Sequence, residues 1–422
     1  MSKVQDLPAL IGEPYDVNAH LHTPYSFSAF DSVKDALTRA EKEGVMVAGI
    51  NDFYSQEGYQ DWSIESFLHM IFPLYNIEFI SLQAEDQAAN IRVNDPANPG
   101  RTYLSGKGMH YGFSLDNPEE IETMQAVQLQ LAELCNEANA HTEKMCAKLN
   151  EVLDKHASGL ALSYADIKDK LTKGNVRERH LAKALRMEVY EKFGTNQAAL
   201  VQFFEKIFGG KPLQSSIENL AAVENEIRGN LLKSGGAAFI PEDPKAFLPF
   251  DKVCKIILDG QGIPTYPFLA DDAKGGFTDF ERDVAKAAAT LKERNIWSVE
   301  FIATRNSVEV LERYASYLHD EGFIVTFGSE HNTPAMEPVL LSTRGGKPLT
   351  PLLRNIGYAG ACVLAAHETL HLNRKTGYLD ANGKADLAHR DDFIRLGNED
   401  IKSSYQEERE RRKRNKQKRQ DK

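Results

Sequence analysis

The chain has 422 residues, of which 42% are hydrophobic and 26% charged, a composition typical of a soluble globular protein. The net charge of −11 argues against nucleic acid as the ligand of the main body, and no apolar run of about 18 residues indicates a membrane-spanning helix. The four cysteines are scattered and no signal peptide is apparent, so we expect a cytoplasmic protein with reduced thiols.

The first predicted elements, within residues 16–118, alternate short strands with helices. One strand ends at His20-Leu-His22, Ser32 begins a helix, and the apolar run 45–50 forms the next strand. Because side chains alternate between faces along a strand, His20 and His22 point to the same side. Two imidazoles at the end of a barrel strand predict a metal site, since polar residues there usually carry the chemistry.

A long helical stretch, residues 119–235 (the insertion), separates two groups of predicted strands. Apolar residues recur at helical spacing along 120–155, and Asn175 is expected to cap the helix that carries Arg179 and His180. A helical segment placed between the strands of a barrel would lie over the active face as a lid.

Strand and helix patterns resume over residues 236–345. The predicted strands are 263–268, 298–302 and 323–327. Residues 346–400 read as a helical extension. Residues 401–422 hold ten Lys and Arg against four Asp and Glu, which predicts a charged helix or a disordered end. The whole order predicts an α/β barrel interrupted by the insertion.

Several short segments resemble, in order, the motifs of the PHP (polymerase and histidinol phosphatase) superfamily, in particular its stand-alone phosphoesterase-like members. The segments are NAHLHTPYS at 18–26, AGINDF at 48–53, FPLYNIEF at 72–79, MHYGF at 109–113, the helix at 175–185, VEF at 299–301 and FGSEHN at 327–332. The resemblance spans residues 16–340. It implies a distorted (β/α)7 TIM-like barrel, the PHP fold, with metal ions at the C-terminal ends of the strands.

The ligand set departs from the family pattern in three places. Phe53 stands where the family has a metal-binding histidine, and Tyr266 stands where a second one is expected. The final motif has Glu330 in place of Asp, with His331 adjacent to it. The resemblance therefore implies one or two divalent ions, Zn, Mn or Fe, rather than a full three-metal cluster. The expected ligands are His20, His22, Glu78, His110, and Glu330 or His331 or both.

Five further side chains are candidates for a role in the site. Asp52 is expected to orient a ligand histidine, and Tyr266 to act as an acid or a hydrogen-bond donor. Arg305 is a candidate contact for a phosphate or carboxylate group. Arg179 and His180, on the lid helix, could bind an anionic substrate or could form an ordinary polar helix face.

These residues favour a metal-dependent hydrolase, a phosphoesterase that acts on a small anionic, phosphorylated or otherwise charged, substrate through a metal-activated water. We expect no nucleic acid at the core and no membrane, and the oligomeric state stays open. One alternative is a non-catalytic or differently reacting metal-binding or ligand-binding protein, favoured by the missing histidines. Another is a zincin metalloprotease, because His367-Glu368-x-x-His371 places two histidines on one face of a helix.

Overall fold

Seven strands form a barrel-like sheet in the computed structural model of the chain, which describes residues 1–111, 117–156, 159–272, 275–380 and 382–420. The strands, hydrogen-bonded in chain order, are β1 Val17–Leu21, β2 Val47–Phe53, β3 Phe72–Leu82, β4 Arg101–Lys107, β5 Ile263–Phe268, β6 Ser298–Ile302 and β7 Ile324–Gly328. A parallel bridge between Leu21 and Glu330 joins the two edge strands. The predicted α/β fold, a distorted TIM-like barrel, is confirmed.

One strand of the barrel, β4, runs against both of its neighbours, whereas the other adjacent strands are parallel. Arg101, at the start of β4, pairs with Leu82 at the end of β3, and Lys107 pairs with Ile263 at the start of β5. The chain therefore leaves β4 at the N-terminal end of the barrel, which is the end where the six parallel strands begin.

Helices cover the outside of the barrel and also build the insertion. They are α1 Leu7–Ile11, α2 Val33–Lys42, α3 Tyr59–His69, α4 Ala84–Ala88, α5 Pro118–Lys155, α6 Tyr164–Leu171, α7 Glu178–Phe193, α8 Gln197–Ile207, α9 Leu220–Ile227, α10 Phe250–Asp259, α11 Val284–Glu293, α12 Val308–Asp320, α13 Pro351–Leu372 and α14 Arg390–Gln420. Ser32, Asp283 and Ser307 begin α2, α11 and α12 by accepting hydrogen bonds from first-turn N–H groups. A two-stranded hairpin, β8 Ser342–Thr343 and β9 Lys347–Pro348, precedes α13.

Helix α5 carries the chain from the N-terminal end of the barrel to the other helices of the insertion. Near its start, Glu120 Oε1 lies 3.7 Å from His110 Nε2, just beyond β4. Its 38 residues span about 57 Å at the usual helical rise. The first half packs on the barrel core through Val127 and Leu131, whereas the part from Met145 onward belongs to a second hydrophobic core built with the remaining helices of the insertion. The limits 119 and 235 of the insertion stay predictions.

The sequence predicted that Asn175 caps α7, but it does not. The chain stays extended through the buried Val176 to Arg177, which is the residue that precedes the helix. The Asn175 side chain instead donates to the Phe53 carbonyl at 2.7 Å. This hydrogen bond attaches the insertion to the C-terminal end of β2.

The last two long helices pack on the barrel and on each other. Gly397 of α14 crosses α13 so closely that a Cβ there would lie 1.8 Å from the Cys362 carbonyl oxygen. Helix α14 continues to Gln420, so the helical alternative for the basic tail describes it up to that residue. None of the described helices is both long and apolar enough to cross a membrane.

Candidate metal centre

Three side chains converge near the C-terminal end of the barrel. His20 lies on β1, His22 directly follows β1, and Glu78 lies on β3. His22 Nε2 lies 3.0 Å from Glu78 Oε2, and His20 Nε2 lies 3.7 Å from the same oxygen. The two Nε2 atoms are 3.2 Å apart. All three side chains are buried, and within the described ranges they are the only set of three histidine, cysteine or acidic residues with ligand atoms so close together.

These separations match those of atoms bound to one metal ion. Ligands at about 2.0–2.1 Å in a tetrahedral arrangement lie about 3.3 Å from each other. Glu78 Oε2 has no hydrogen-bond partner although it is buried, and buried oxygens are normally satisfied. The Asn51 amide nitrogen contacts His20 Nε2 at 3.0 Å, a contact that an ion would displace. His20, His22 and Glu78 therefore fit a divalent ion.

Burial sets the protonation of the ligand atoms. It lowers the pKa of His22 to about 4, which keeps the imidazole in the neutral form that binds metals. It raises the pKa of the Glu78 carboxyl to about 8, and the neighbouring His20 only partly offsets this effect. The carboxylate form of Glu78 thus needs a nearby positive charge at neutral pH.

A buried carboxylate holds His20 from behind. Glu300 Oε1, on β6, accepts a hydrogen bond from His20 Nδ1 at 2.8 Å, which fixes the tautomer that presents Nε2 to the site. Glu300 Oε2 accepts from Lys107 Nζ at 2.5 Å. Burial alone would raise the pKa of Glu300, but Lys107 and His20 bring it down to about 2. Burial also lowers the pKa of Lys107, and Glu300 opposes that effect.

His22 is held through Ser26 by Asp52, the residue predicted to orient a histidine. Ser26 Oγ donates to Asp52 Oδ1 at 2.5 Å and lies 3.1 Å from His22 Nδ1. The Thr23 backbone N–H also donates to Asp52, at 2.8 Å. Asp52 is completely buried, which fits the predicted orienting role and not direct contact with a ligand in the cavity.

Glu78 lines a cavity of about 560 Å³ between the barrel and the insertion. Its apolar walls include Phe27, Phe53, Tyr103 and Ile302. Its basic groups are Arg177, Arg179, Arg228 and Lys233 from the insertion and Arg305 from the barrel, and its acidic groups are Glu78, Asp95, Glu178, Asp272 and Glu330. The cavity therefore contains as many acidic as basic side chains, and their pairing decides which charges a ligand could meet.

Two guanidiniums of the cavity have no carboxylate partner in the part of the chain that the structure describes. Arg228 and Lys233 pair with Glu178 at 2.7 and 3.4 Å. Arg177 instead lies over the Phe53 ring, 4.1 Å from its centroid, and that ring stacks on His22. Arg179 donates to the amide oxygens of two asparagines, and burial lowers its pKa to about 9, which leaves it charged at neutral pH.

Arg305, predicted as an anion contact, and Glu330, predicted as a metal ligand, form an ion pair at the cavity. Arg305 Nη2 lies 2.5 Å from Glu330 Oε2, and the arginine side chain is 39% exposed. Burial alone would raise the pKa of Glu330, but Arg305 and the site histidines lower it. Glu330 has a φ of 65°, in a left-handed turn directly after β7 that aims its side chain into the cavity.

The structure does not bring two predicted residues of the C-terminal half to the ligand atoms. His331 uses both ring nitrogens elsewhere, with Ser329 Oγ and the Glu337 carbonyl each at 2.8 Å. Tyr266 donates to Glu281 Oε1 at 2.8 Å, between the sheet and the helices. Since neighbouring strand residues face opposite sides, Pro267 rather than Tyr266 lines the cavity.

His110 and His180 also lie away from the triad. His110 follows the reversed strand β4 and is therefore at the N-terminal end of the barrel, opposite to His20. Two residues of its motif, 112 and 113, fall outside the described residues. His180 Nδ1 accepts from the Arg177 N–H at 2.9 Å at the start of α7, and its ring packs on Phe27. Of these two candidates on α7, Arg179 lines the cavity and His180 does not, and substrate binding by Arg179 stays a prediction.

The H-E-x-x-H segment lies on α13 and has packing roles. His367 Nε2 donates to the Gln261 carbonyl at 2.8 Å, and its Nδ1 accepts from the Tyr378 N–H at 2.9 Å. Glu368 accepts from the Tyr75 N–H at 3.1 Å. With both nitrogens of His367 engaged, this arrangement does not support the zincin alternative.

Sequence reasoning missed three residues of the site. Arg177 carried no motif signal. Lys107 could have been suspected, since it follows five uncharged residues of a barrel strand and lysine is rarely buried. Glu300 lay within a quoted motif but received no role.

Comparison with known proteins supports the fold and assigns no function. No protein-family model matches the chain, and no curated protein sequence matches it. An amidohydrolase from Chromobacterium violaceum, solved with bound sulfate and no metal, is 13% identical with a TM-score of 0.50, covering 80% of this chain and 93% of its own. A protein from Bifidobacterium adolescentis assigned as a metal-dependent phosphoesterase is 14% identical with a TM-score of 0.49, covering 82% and 96%.

Proposed function

We propose that the protein is a metal-dependent hydrolase that cleaves phosphate esters of small anionic substrates. One observation carries the proposal. The ligand atoms of His20, His22 and Glu78 converge beside a cavity whose Arg177 and Arg179 lack carboxylate partners in the described chain. A metal site next to two guanidiniums suits an anionic group such as a phosphate.

The residues of the site would divide the work. A divalent ion, Zn, Mn or Fe, would supply an activated water and polarise a phosphoryl oxygen. Arg177 and Arg179 would hold the anionic group through charge-assisted hydrogen bonds. Phe27 and Phe53 would pack against the rest of the substrate. The insertion, which carries both arginines, would keep bulk water from the cavity.

Two further facts support the proposal. The motif order resembles that of PHP phosphoesterases over residues 16–340. The Chromobacterium violaceum protein, which has the same fold, is an amidohydrolase, so hydrolysis is one chemistry found on this barrel. The chain differs from the PHP pattern at Phe53 and Tyr266, which favours a second candidate, a metal-binding protein without phosphoesterase activity.

The test combines metal analysis with a substrate screen. We expect the purified chain to bind Zn, Mn or Fe and to release phosphate from members of a panel of small phosphate esters. A His20→Ala/His22→Ala variant should lose both properties, whereas His389→Ala, at a side chain 64% exposed and distant in role, should lose neither. Arg179→Gln should keep the metal and raise KM about tenfold or more, the cost of a charged hydrogen bond.

The outcomes separate the candidates. Metal that remains after loss of His20 and His22 contradicts the assigned site. Metal that binds at the triad without hydrolysis of any ester favours the non-catalytic candidate.

A further inference from the structure

Lys107 is a lysine sealed inside the barrel beside the proposed metal centre. Its side chain is completely buried. Its Nζ donates to Glu300 Oε2 at 2.5 Å, to the Ala19 carbonyl at 3.0 Å and to Asn51 Oδ1 at 3.2 Å. An ammonium group has three donors, and all three have acceptors here. The positive charge is therefore held in one place and cannot move to solvent.

Both oxygens of Glu300 are committed by this arrangement. One accepts from Lys107 and the other from His20 Nδ1 at 2.8 Å. For Glu300 to bind a metal, its buried ion pair with Lys107 would have to break, and a lone buried charge is costly. Glu330 is likewise paired, with Arg305, and Asp52 accepts hydrogen bonds from Ser26 and from the Thr23 backbone. Among the described residues, these carboxylates near the triad are thus already engaged by groups of the chain itself.

We infer that Lys107 serves as a built-in cation that occupies Glu300, so that the centre holds one divalent ion and Glu300 remains the partner of His20. The inference rests on the metal site of the proposed function. Lys107 is a positioning residue, since it acts through Glu300 and His20.

The inference predicts metal affinities that move in opposite directions. Glu300→Gln leaves the Lys107 charge unpaired and close to the ion, which weakens binding. Lys107→Met leaves the Glu300 charge unpaired, which strengthens binding of a divalent cation. The double variant, Glu300→Gln with Lys107→Met, carries no net charge at these two positions, like the ion pair that it replaces. The glutamine oxygen at position 300 can still accept a hydrogen bond from His20. A merely structural pair would instead weaken binding in every variant.

The test is equilibrium dialysis of the metal-stripped full chain against Zn²⁺ and Mn²⁺, with bound metal counted by mass spectrometry. We expect one ion per wild-type chain. Affinity should fall about tenfold or more in Glu300→Gln and rise in Lys107→Met, in the range known for residues that support metal ligands. The double variant should lie close to wild type.

Several results would overturn the inference. A count of two or more ions per wild-type chain would overturn the inference but would not contradict the proposed hydrolase function. No bound ion in wild type overturns both. If Lys107→Met fails to fold, as judged by circular dichroism, the comparison of Glu300→Gln with the double variant decides. Recovery of affinity in the double variant supports the built-in cation, and affinity that stays low contradicts it.

Discussion

At the scale of single residues, the proposed ligands His22 and Glu78 share one buried environment, but burial shifts their pKa values in opposite directions. Burial keeps His22 neutral down to about pH 4, whereas it keeps the Glu78 carboxyl protonated up to about pH 8. Since a metal binds the carboxylate, an ion that enters the site must displace the proton of Glu78.

We therefore predict that metal affinity rises with pH up to about 8 and then levels off. Below the pKa of Glu78, one proton leaves for each ion that binds, whereas above it none does. His22, already neutral, adds no pH dependence in this range. Calorimetric titration with Mn²⁺ between pH 6 and 9, in buffers of different ionisation enthalpy, would measure both the affinity and the released proton. Glu78→Gln is the control and should bind more weakly and release fewer protons on binding than wild type; equal proton release in the two proteins would contradict the prediction.

The sequence could identify some of these residues and not others for a geometric reason. Side-chain alternation and motif order were sufficient to select His20, His22 and Glu78. Alternation also explains the failure at Tyr266, because a shift of one residue along a strand exchanges the inner and outer faces. His331 failed because the two left-handed residues after β7 turn the side chains apart, and local sequence does not reveal such a turn.

At the scale of elements, the direction of β4 decides where the residues around it lie. The motif that contains His110 resembled a strand, but the strand in the structure is β4, which ends before this motif at Lys107. The direction of β4 depends on pairing with distant strands, which local sequence does not reveal, and this direction places His110 away from the metal site. Most other strand and helix positions depend on local patterns and caps, and the sequence predicted them closely; for example, the strand expected at 263–268 is β5.

The crossing of α13 and α14 makes a second testable prediction. Gly397→Ala should lower the free energy of unfolding by about 1–3 kcal/mol, because its methyl group would overlap the backbone at Cys362. Gly229→Ala is the matched control, since a Cβ there meets no atom within 4 Å. Chemical denaturation would measure both variants. Equal stabilities for the two variants would show that the helices can separate without cost.

At the scale of the whole molecule, two hydrophobic cores divide the candidate site. His20 and Glu78 lie on strands of the barrel and His22 directly follows β1, whereas Arg177 and Arg179 lie on the insertion. The two cores share α5, which contributes buried side chains to both. Under the proposed function, metal binding and substrate binding would therefore depend on different packing.

This division predicts a selective loss of function. Leu185→Ala, at a fully buried position of the second core, should cost about 2–5 kcal/mol of local packing. We expect KM for an anionic substrate to rise while metal affinity stays that of wild type. Leu129→Ala, on the exposed side of α5 with 66% of the residue accessible, should change neither value. A parallel loss of metal in Leu185→Ala would mean that the two cores are not separable.

The reversed strand has a consequence for how such a protein can diversify. Because β4 delivers the chain to the far end of the barrel, the insertion is reached through one long helix whose barrel half is anchored independently of its other half. The helices packed on this outer half include α7, which bears Arg179, so sequence changes there would alter a wall of the cavity while His20, His22 and Glu78 stay in place on the barrel. Under the proposed function, chemistry and choice of substrate could then evolve at separate rates in one polypeptide.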